Sequence, residues 1–229
     1  MDLSDFTICI GTFGSFEWED LAHERAVPSA QAQGVPVVAV HSGTLAEARN
    51  ACLERAETEF VIHLDADDEL EPGYIEAMAA STGDVRVPRV SCYRDGTPIA
   101  GGVFMPFINR RHRRTHDCEA DCLRFGSWIV VGAAVRKRLV EEVGGWREWD
   151  AYEDFDLWQR CWLAGAEIVR TPDALYRQHL RDGSRNHFLS PERMNEIHEE
   201  IEQANGVSRE DGWVKPESGW TAPEMQAAA

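Results

Sequence analysis

Apolar residues along the chain alternate between two rhythms. Phe6-Thr-Ile-Cys-Ile10, Val35-Pro-Val-Val-Ala-Val40 and Phe60-Val-Ile-His-Leu64 are short runs with the length and β-branched content of buried strands. Helical spacing lies between them: residues 17–33, with Pro28 as a point of interruption, and Thr44–Glu57, with Leu45, Ala48, Ala51 and Cys52 on one face. A further helix opens at Pro72, a residue favoured in a first turn, and runs to about Ala80. This β-α-β-α-β-α order predicts an α/β fold: a single Rossmann-like domain whose mainly parallel central sheet is flanked by helices.

The second half is less regular. Val85–Tyr93, Gly102–Ile108 and Ser127–Ala133 read as strands, and residues 109–124 as a polar loop. Val135–Val143 reads as a helix stopped by Gly144-Gly145, and Tyr152–Ala164 as a helix ended by Gly165. Ile168–Arg170 and Leu175–His179 read as short strands, and Pro191–Asn205 as an amphipathic helix ended by Gly206. A tail with Trp213 and Trp220 follows, and neither an internal repeat nor a long linker is visible.

Composition narrows the functional classes. The chain has 229 residues and a formal charge of -17. Such an acidic field disfavours general binding to nucleic acid or to anionic membranes. Arg110-Arg-His-Arg-Arg114 is a local exception that keeps a modified nucleic acid open as a partner. Six scattered cysteines among apolar neighbours suit reduced, buried thiols. With no signal peptide and no run of about 20 apolar residues, a cytoplasmic protein without a transmembrane segment is expected.

Three constellations carry candidate chemistry. In Phe60–Leu70 an apolar run breaks off into Asp65, Asp67 and Asp68. The end of a strand is where open α/β sheets place ligands. Clustered carboxylates repel one another unless a cation intervenes, and a hard divalent ion takes oxygen ligands and carries phosphates. Acids before Pro72 would also complement a helix dipole. Second, Trp146–Trp158 sets Glu153, Asp154 and Asp156 at a helix start among aromatics, either as helix-stabilising acids or with one of them as a general base in a sugar-binding cleft. Third, Tyr176-Arg-Gln-His-Leu-Arg181 sets His179 at a strand end beside arginines that suit phosphate oxygens. His112, His116, Cys118 and Cys122 invite a zinc reading, although their spacing matches no common finger.

Taken together and in order, these segments resemble the family 2 glycosyltransferases of the GT-A fold. A strand ends in Gly11-Thr12-Phe13. Leu45-Ala-Glu-Ala-Arg-Asn-Ala51 is similar to the family's L-x-x-A-R-N-x-G helix, and Phe60–Leu70 to its F-L-D-A-D-D segment. Val143-Gly-Gly-Trp146, Glu153-Asp-Phe-Asp-Leu-Trp158 and Tyr176-Arg-Gln-His179 complete the series. The resemblance implies a GT-A domain over residues 1–190, with a nucleotide-sugar half over 1–100 and an acceptor half over 101–190, followed by a C-terminal helix and tail over 191–229.

It also implies roles. Thr12, Phe13, Arg49, Asp65, Ala66 and Asp67 would bind the nucleotide-sugar: Thr12 and Phe13 at the base, Arg49 at the phosphates, Asp65 at the ribose or metal. Asp67 and His179 would ligate Mn²⁺ or Mg²⁺. Asp154 would be the catalytic base of an inverting transfer, with Trp146 and Glu153 at the sugar or acceptor. The donor would be a nucleotide diphosphate-sugar, UDP by family default. The acceptor would be a glycan, protein, lipid-linked sugar or modified nucleic acid, and a homodimer is compatible. One departure stands out: where the family has acids after its second strand, this chain has Val40-His-Ser-Gly-Thr44, leaving His41 or Ser42 in their place. A nucleotidyltransferase, a haloacid-type phosphatase and a non-catalytic sugar-nucleotide binder are the competing readings. The first lacks its basic phosphate loop near Gly11-Thr-Phe-Gly14, and the second would carry its acid pair on the first strand.

Overall fold

A computed structural model describes residues 2–104, 129–181 and 189–207. The basic run 110–114, the His112/His116/Cys118/Cys122 set, the 109–124 loop, residues 182–188 and the tail with Trp213 and Trp220 lie outside the described residues.

Among the described residues, eight strands form one sheet: β1 (Phe6–Phe13), β2 (Val37–Ser42), β3 (Phe60–His63), β4 (Glu69–Leu70), β5 (Val85–Arg94), β6 (Thr97–Phe104), β7 (Ala134–Arg136) and β8 (Ile168–Leu180). Their order is β2-β1-β3-β7-β5-β8-β4, with β6 paired to β5. The first three strands are parallel, as the β-α-β-α-β rhythm requires, and β5 runs parallel to β8. β7 runs antiparallel to β3 and β5, and β4 to β8, so the sheet is mixed. The helices are α1 (Glu17–Glu24), α2 (Ala26–Gln31), α3 (Leu45–Arg55), α4 (Tyr74–Ala80), α5 (Lys137–Glu142), α6 (Glu153–Leu163) and α7 (Pro191–Ala204).

Three local departures from the sequence expectations have simple causes. The 17–33 helix breaks at Arg25 (φ -125°, ψ -68°) and not at Pro28. Pro28 falls in the first turn of α2, where a missing N–H is tolerated. The second is β6, which starts at Thr97, because Asp95 and Gly96 both take positive φ and close a tight hairpin with β5. Third, the two short strands expected over 168–179 are one strand, whose register slips between Pro88 and Arg89 opposite Thr171 and Leu175. Pro172 sits in that irregularity, where its lack of an N–H costs no ladder bond. The strand expected over 127–133 is instead β7, at 134–136.

The main core joins the first half of the chain to the second. Phe6, Ile8, Ile10, Phe60 and Ile62 from the parallel strands meet Tyr74, Leu157 and Trp158 from the helices. A smaller core forms where Ile197 and Ile201 of α7 close on Ala151 and Phe155. The C-terminal helix therefore packs back onto the start of α6.

Close backbone approaches fix the elements that matter for function. α3 lies on β1 at Gly11, where a Cβ would come within 3.1 Å of Arg49 Cγ and 3.3 Å of its backbone nitrogen. Asn50, beside Arg49, clips the Gly144-Gly145 loop: its amide donates to Trp146 O and its carbonyl accepts the Trp146 N–H, both at 2.9 Å. Gly145 makes room for that clip, with φ +71° and a would-be Cβ 2.7 Å from Asn50 Oδ1. Gly144 has φ +89° and open space around it. Gly144→Ala should therefore cost about 1 kcal/mol, the backbone term alone, and Gly145→Ala a further 1–3 kcal/mol or so from the displaced clip. Chemical denaturation of the two variants measures the difference.

Candidate active site

The ends of β1, β2, β3 and β8 and the start of α6 supply the site. At its centre is Arg49 of α3, only 2% exposed. One guanidinium nitrogen donates to Asp65 Oδ1 at 2.8 Å and the other to Glu153 Oε1 at 2.9 Å. The guanidinium lies 4.3 Å above the Trp146 ring. Burial pushes the Arg49 pKa down, but the charges of Asp65 and Glu153 outweigh it and leave the pKa raised. With both terminal nitrogens engaged by carboxylates, Arg49, expected at the phosphates, bridges the tip of β3 and the head of α6.

The three acids of α6 divide between partners. Glu153 is held by Arg49. Asp156, fully buried, accepts from Arg160 at 2.6 and 3.0 Å. Asp154 accepts the Phe155 N–H at 2.8 Å, and among the described residues no ion pair reaches it. Burial and then the adjacent Glu153 charge push its carboxyl up to about 7, a value suited to exchanging a proton near neutral pH. The residue before them, Tyr152, has φ +62°. For a bulky side chain that left-handed conformation costs about 1–3 kcal/mol, and such strain clusters at functional sites.

Past β3 the chain turns, with the Asp68 N–H bonded to Asp65 O at 3.1 Å, and enters β4. Asp65 is the most open of this group, its side chain 40% exposed. Ala66, expected at the nucleotide, packs its methyl into the main core. Asp67 is raised to about 6, by burial and then by the Asp65 charge. The break at Arg25 lets that side chain donate to Asp67 O at 2.8 Å, and Arg181 stands 3.9 Å from Asp67 Oδ2. Arg181 also lies over Trp18, at the edge of a cleft of about 320 Å³ lined by Glu17, Asp20 and Glu24.

His179 reaches the same region by a different contact from the one expected: its Nε2 is 2.7 Å from Glu69 Oε2, and its ring stacks on Tyr93. Burial lowers its pKa, so the imidazole is neutral at neutral pH. Among the described residues no three His, Cys, Asp or Glu side chains converge as a ready metal cage. The donor chemistry nevertheless fits a hard divalent cation. Asp65 and Asp67 repel each other in a way a cation relieves, and a neutral imidazole is available once it leaves Glu69. Trp146, expected to face a sugar, is 3% exposed and donates its indole N–H to His63 at 3.1 Å, so it walls the site from behind.

At the β1–β2 end, Thr12 Oγ1 lies 3.0 Å from His41 Nδ1, and Phe13 pairs with Ser42 across the two strands. Phe16, 68% exposed, stacks on the His41 ring at 4.9 Å.

The sequence from Phe60 to Arg193 matches the family model described as glycosyl transferase family group 2. The chain belongs to that family. Among solved structures it is similar to S. aureus TarS 1–349 in complex with UDP-GlcNAc, with TM-score 0.61, 18% identity, and 86% of this chain and 65% of that one covered. It is also similar to GalNAc-T7 with UDP, GalNAc and Mn²⁺, with TM-score 0.50, 12% identity, and 80% and 45% covered. At these identities the likeness establishes the fold, a GT-A-type α/β domain. The chain thus spans just under two thirds of the TarS segment. None of the curated proteins matches it by sequence.

Two residues of this family member carry weight that sequence reasoning did not give them. Asp68, third acid of the turn, accepts the Tyr176 hydroxyl at 2.7 Å and the His179 N–H at 2.8 Å, tying the turn to β8. Its burial, and then the Asp67 and Asp65 charges, raise its pKa well above the ordinary range. Glu47 brings a carboxylate to the β2 tip, where the expected acids are missing: its Oε2 accepts from Ser42 Oγ at 3.2 Å and the Thr44 N–H at 3.1 Å. The capping-box pattern Thr44-x-x-Glu47 was the signal for that position.

The raised acids make the folded protein hold protons that the unfolded chain has released. Between the ordinary Asp154 value of 3.8 and about 7, stability therefore falls as pH rises. Asp154→Asn keeps an acceptor for Phe155 and removes the charge. Its melting temperature should exceed the wild-type value at pH 8 by several degrees, with the gap closing as pH falls towards 4. A gap independent of pH would show that the Asp154 carboxyl is not forced towards its protonated form.

Proposed function

We propose that the chain transfers a sugar from a nucleotide diphosphate-sugar, with a UDP-sugar as the first donor to test, to an acceptor hydroxyl, and that Asp154 is the general base. The observation that carries this reading is the Asp154 carboxyl: raised to about 7, outside any ion pair among the described residues, and held across Arg49 and Glu153 from the acidic tip of β3. Membership of the family and the UDP-GlcNAc bound by TarS, the similar structure, support the donor class.

The chemistry follows from the placement. The donor's base would lie against Thr12, Phe13 and the Phe16–His41 stack, its ribose towards Asp65, and its diphosphate at the turn that ends in Asp67. Asp67 and His179 are the residues that would hold Mn²⁺ or Mg²⁺, and Mn²⁺ accompanies UDP in the GalNAc-T7 structure. The ion would offset the charge of the leaving diphosphate. Arg25 and Arg181, which flank Asp67, add positive potential there. Asp154 takes the acceptor proton as the hydroxyl attacks the anomeric carbon from the face opposite the diphosphate, which inverts the anomeric centre. Holding both partners in line supplies much of the acceleration.

Membrane attachment is not needed for this chemistry, and among the described residues no helix is long and apolar enough to cross a membrane. The acceptor class, whether glycan, protein, lipid-linked sugar or modified nucleic acid, is set by surfaces beyond Asp154.

The test separates donor binding from chemistry. Calorimetry with UDP, GDP, TDP and CDP, each with and without Mn²⁺, should give a metal-dependent signal for one nucleotide. Asp67→Ala should weaken that binding about tenfold or more, the size of a lost charge-assisted contact. Asp154→Asn should bind the same nucleotide as wild type yet lower turnover roughly 10²- to 10⁴-fold. Wild-type turnover in Asp154→Asn would remove it from the role of base. Binding without turnover would favour the non-catalytic sugar-nucleotide binder, and binding of none of the nucleotides would contradict the nucleotide-sugar donor itself.

A further inference from the structure

We propose that α7 is a positioning element of the active site. Met194 and His198 hold Tyr152 in its left-handed conformation and thereby aim the Glu153–Asp154 turn. For its catalytic readout the proposal rests on the reading of Asp154 as base.

Tyr152 is the cap of α6, yet its side chain makes no capping bond, so the conformation does not arise from the helix end itself. A tyrosine with φ +62° relaxes unless its surroundings over-determine it. Here α7 does so from two directions. The Tyr152 hydroxyl lies 2.9 Å from Met194 Sδ, and the Tyr152 ring meets His198 with centroids 4.2 Å apart. His198 also stacks on Phe155, at 4.8 Å and 28°, so one imidazole is packed against the residue before the acid pair and the residue after it. Beneath this clamp Ile197 and Ile201 are fully buried against Ala151 and Phe155.

The rest of α7 is fastened to the same segment. Arg193, in the first turn, pairs with Asp150 Oδ2 at 2.7 Å. At the far end Asn205, the C-cap, donates to Asp156 Oδ1 at 3.1 Å and Gln159 Oε1 at 2.9 Å, and accepts from Arg147 at 2.9 Å. The helix is thus bound at both ends and its middle to residues 147–159, the stretch that contains the acid turn. The family match ends at Arg193, so nearly all of α7 lies beyond it.

The experiment uses the full chain with Met194→Ala and His198→Ala combined, and His198→Phe as the conservative variant that keeps the stacking ring. NMR backbone shifts and the HN–Hα coupling of Tyr152 report its φ directly, whatever Asp154 does. Wild type and His198→Phe should show the left-handed conformation, and the double variant should lose it while still melting cooperatively. In turnover, the double variant should lose roughly 10- to 100-fold in kcat, as expected for a misplaced base, with the donor KM within about twofold of wild type. His198→Phe should recover most of that loss. A left-handed Tyr152 in the double variant, or an unchanged kcat, overturns the clamp. Should the double variant fail to fold, His198→Leu, which keeps bulk without a ring to stack, takes its place under the same criteria. An Asp154→Asn enzyme as active as wild type would instead refute the base assignment, and the conformational readout would still decide the clamp.

Discussion

A buried guanidinium must find anions, and the site is arranged around how Arg49 does so. It is almost fully enclosed, so losing water costs it several kcal/mol that only close carboxylates can return. It takes one carboxylate from the tip of β3 and one from the head of α6, segments separated by nearly ninety residues. Gly11 lets α3 approach β1 closely enough for this reach, while Asn50 and Gly145 bring Trp146 beneath the guanidinium as a flat floor. The sheet and the acid turn of α6 are thereby held in one geometry by a single side chain.

The bridge leaves a deliberate-looking imbalance of charge whose physics is plain. Asp65, Glu153 and Asp154 gather around the buried Arg49, and Asp67 and Asp68 crowd the adjoining turn, with Arg25 and Arg181 beside Asp67 at the edge. Burial and mutual repulsion raise Asp67, Asp68 and Asp154, the response of carboxyls that lack a full counter-charge. A site in that state gains by admitting positive charge, whether a divalent ion at the strand tip or the partial charge that develops on a sugar ring as its bond to phosphate breaks. The same crowding lowers the stability of the folded chain, the usual trade between stability and function. The strained Tyr152 backbone adds to it, and α7 is the element that bears that strain.

The parts legible in the sequence were those encoded locally. The β1 and β3 runs, the capped α3 helix, the acids after β3 and the acids opening α6 could each be read from a dozen neighbouring residues, and the order of motifs then indicated the family. What escaped was set by distant partners or by turns. Asp95-Gly96 closes the β5–β6 hairpin, so β6 begins at Thr97, ahead of the apolar run that opens at Gly102. Trp146, which the resemblance puts at the sugar or acceptor, donates its indole N–H to His63, eighty-three positions away, a contact that no local pattern shows. His179 pairs with Glu69, and Asp68 anchors β8 through Tyr176; both contacts span more than one hundred positions and leave no periodic trace. The clamp from α7 was illegible for the same reason: nothing in Met194 or His198 announces which turn they cover.

The most direct test of the Arg49 bridge is a double-mutant cycle between Arg49→Met and Glu153→Gln, read by chemical denaturation. Removing the cation alone strands two carboxylates, and a broken buried pair costs about 3–5 kcal/mol. Neutralising Glu153 in the same chain should recover at least about 1 kcal/mol of that loss, a coupling typical of groups in one ion-pair network. If Arg49→Met costs less than about 1 kcal/mol and the two changes simply add, the strut does not hold the site together and the account built on it is wrong.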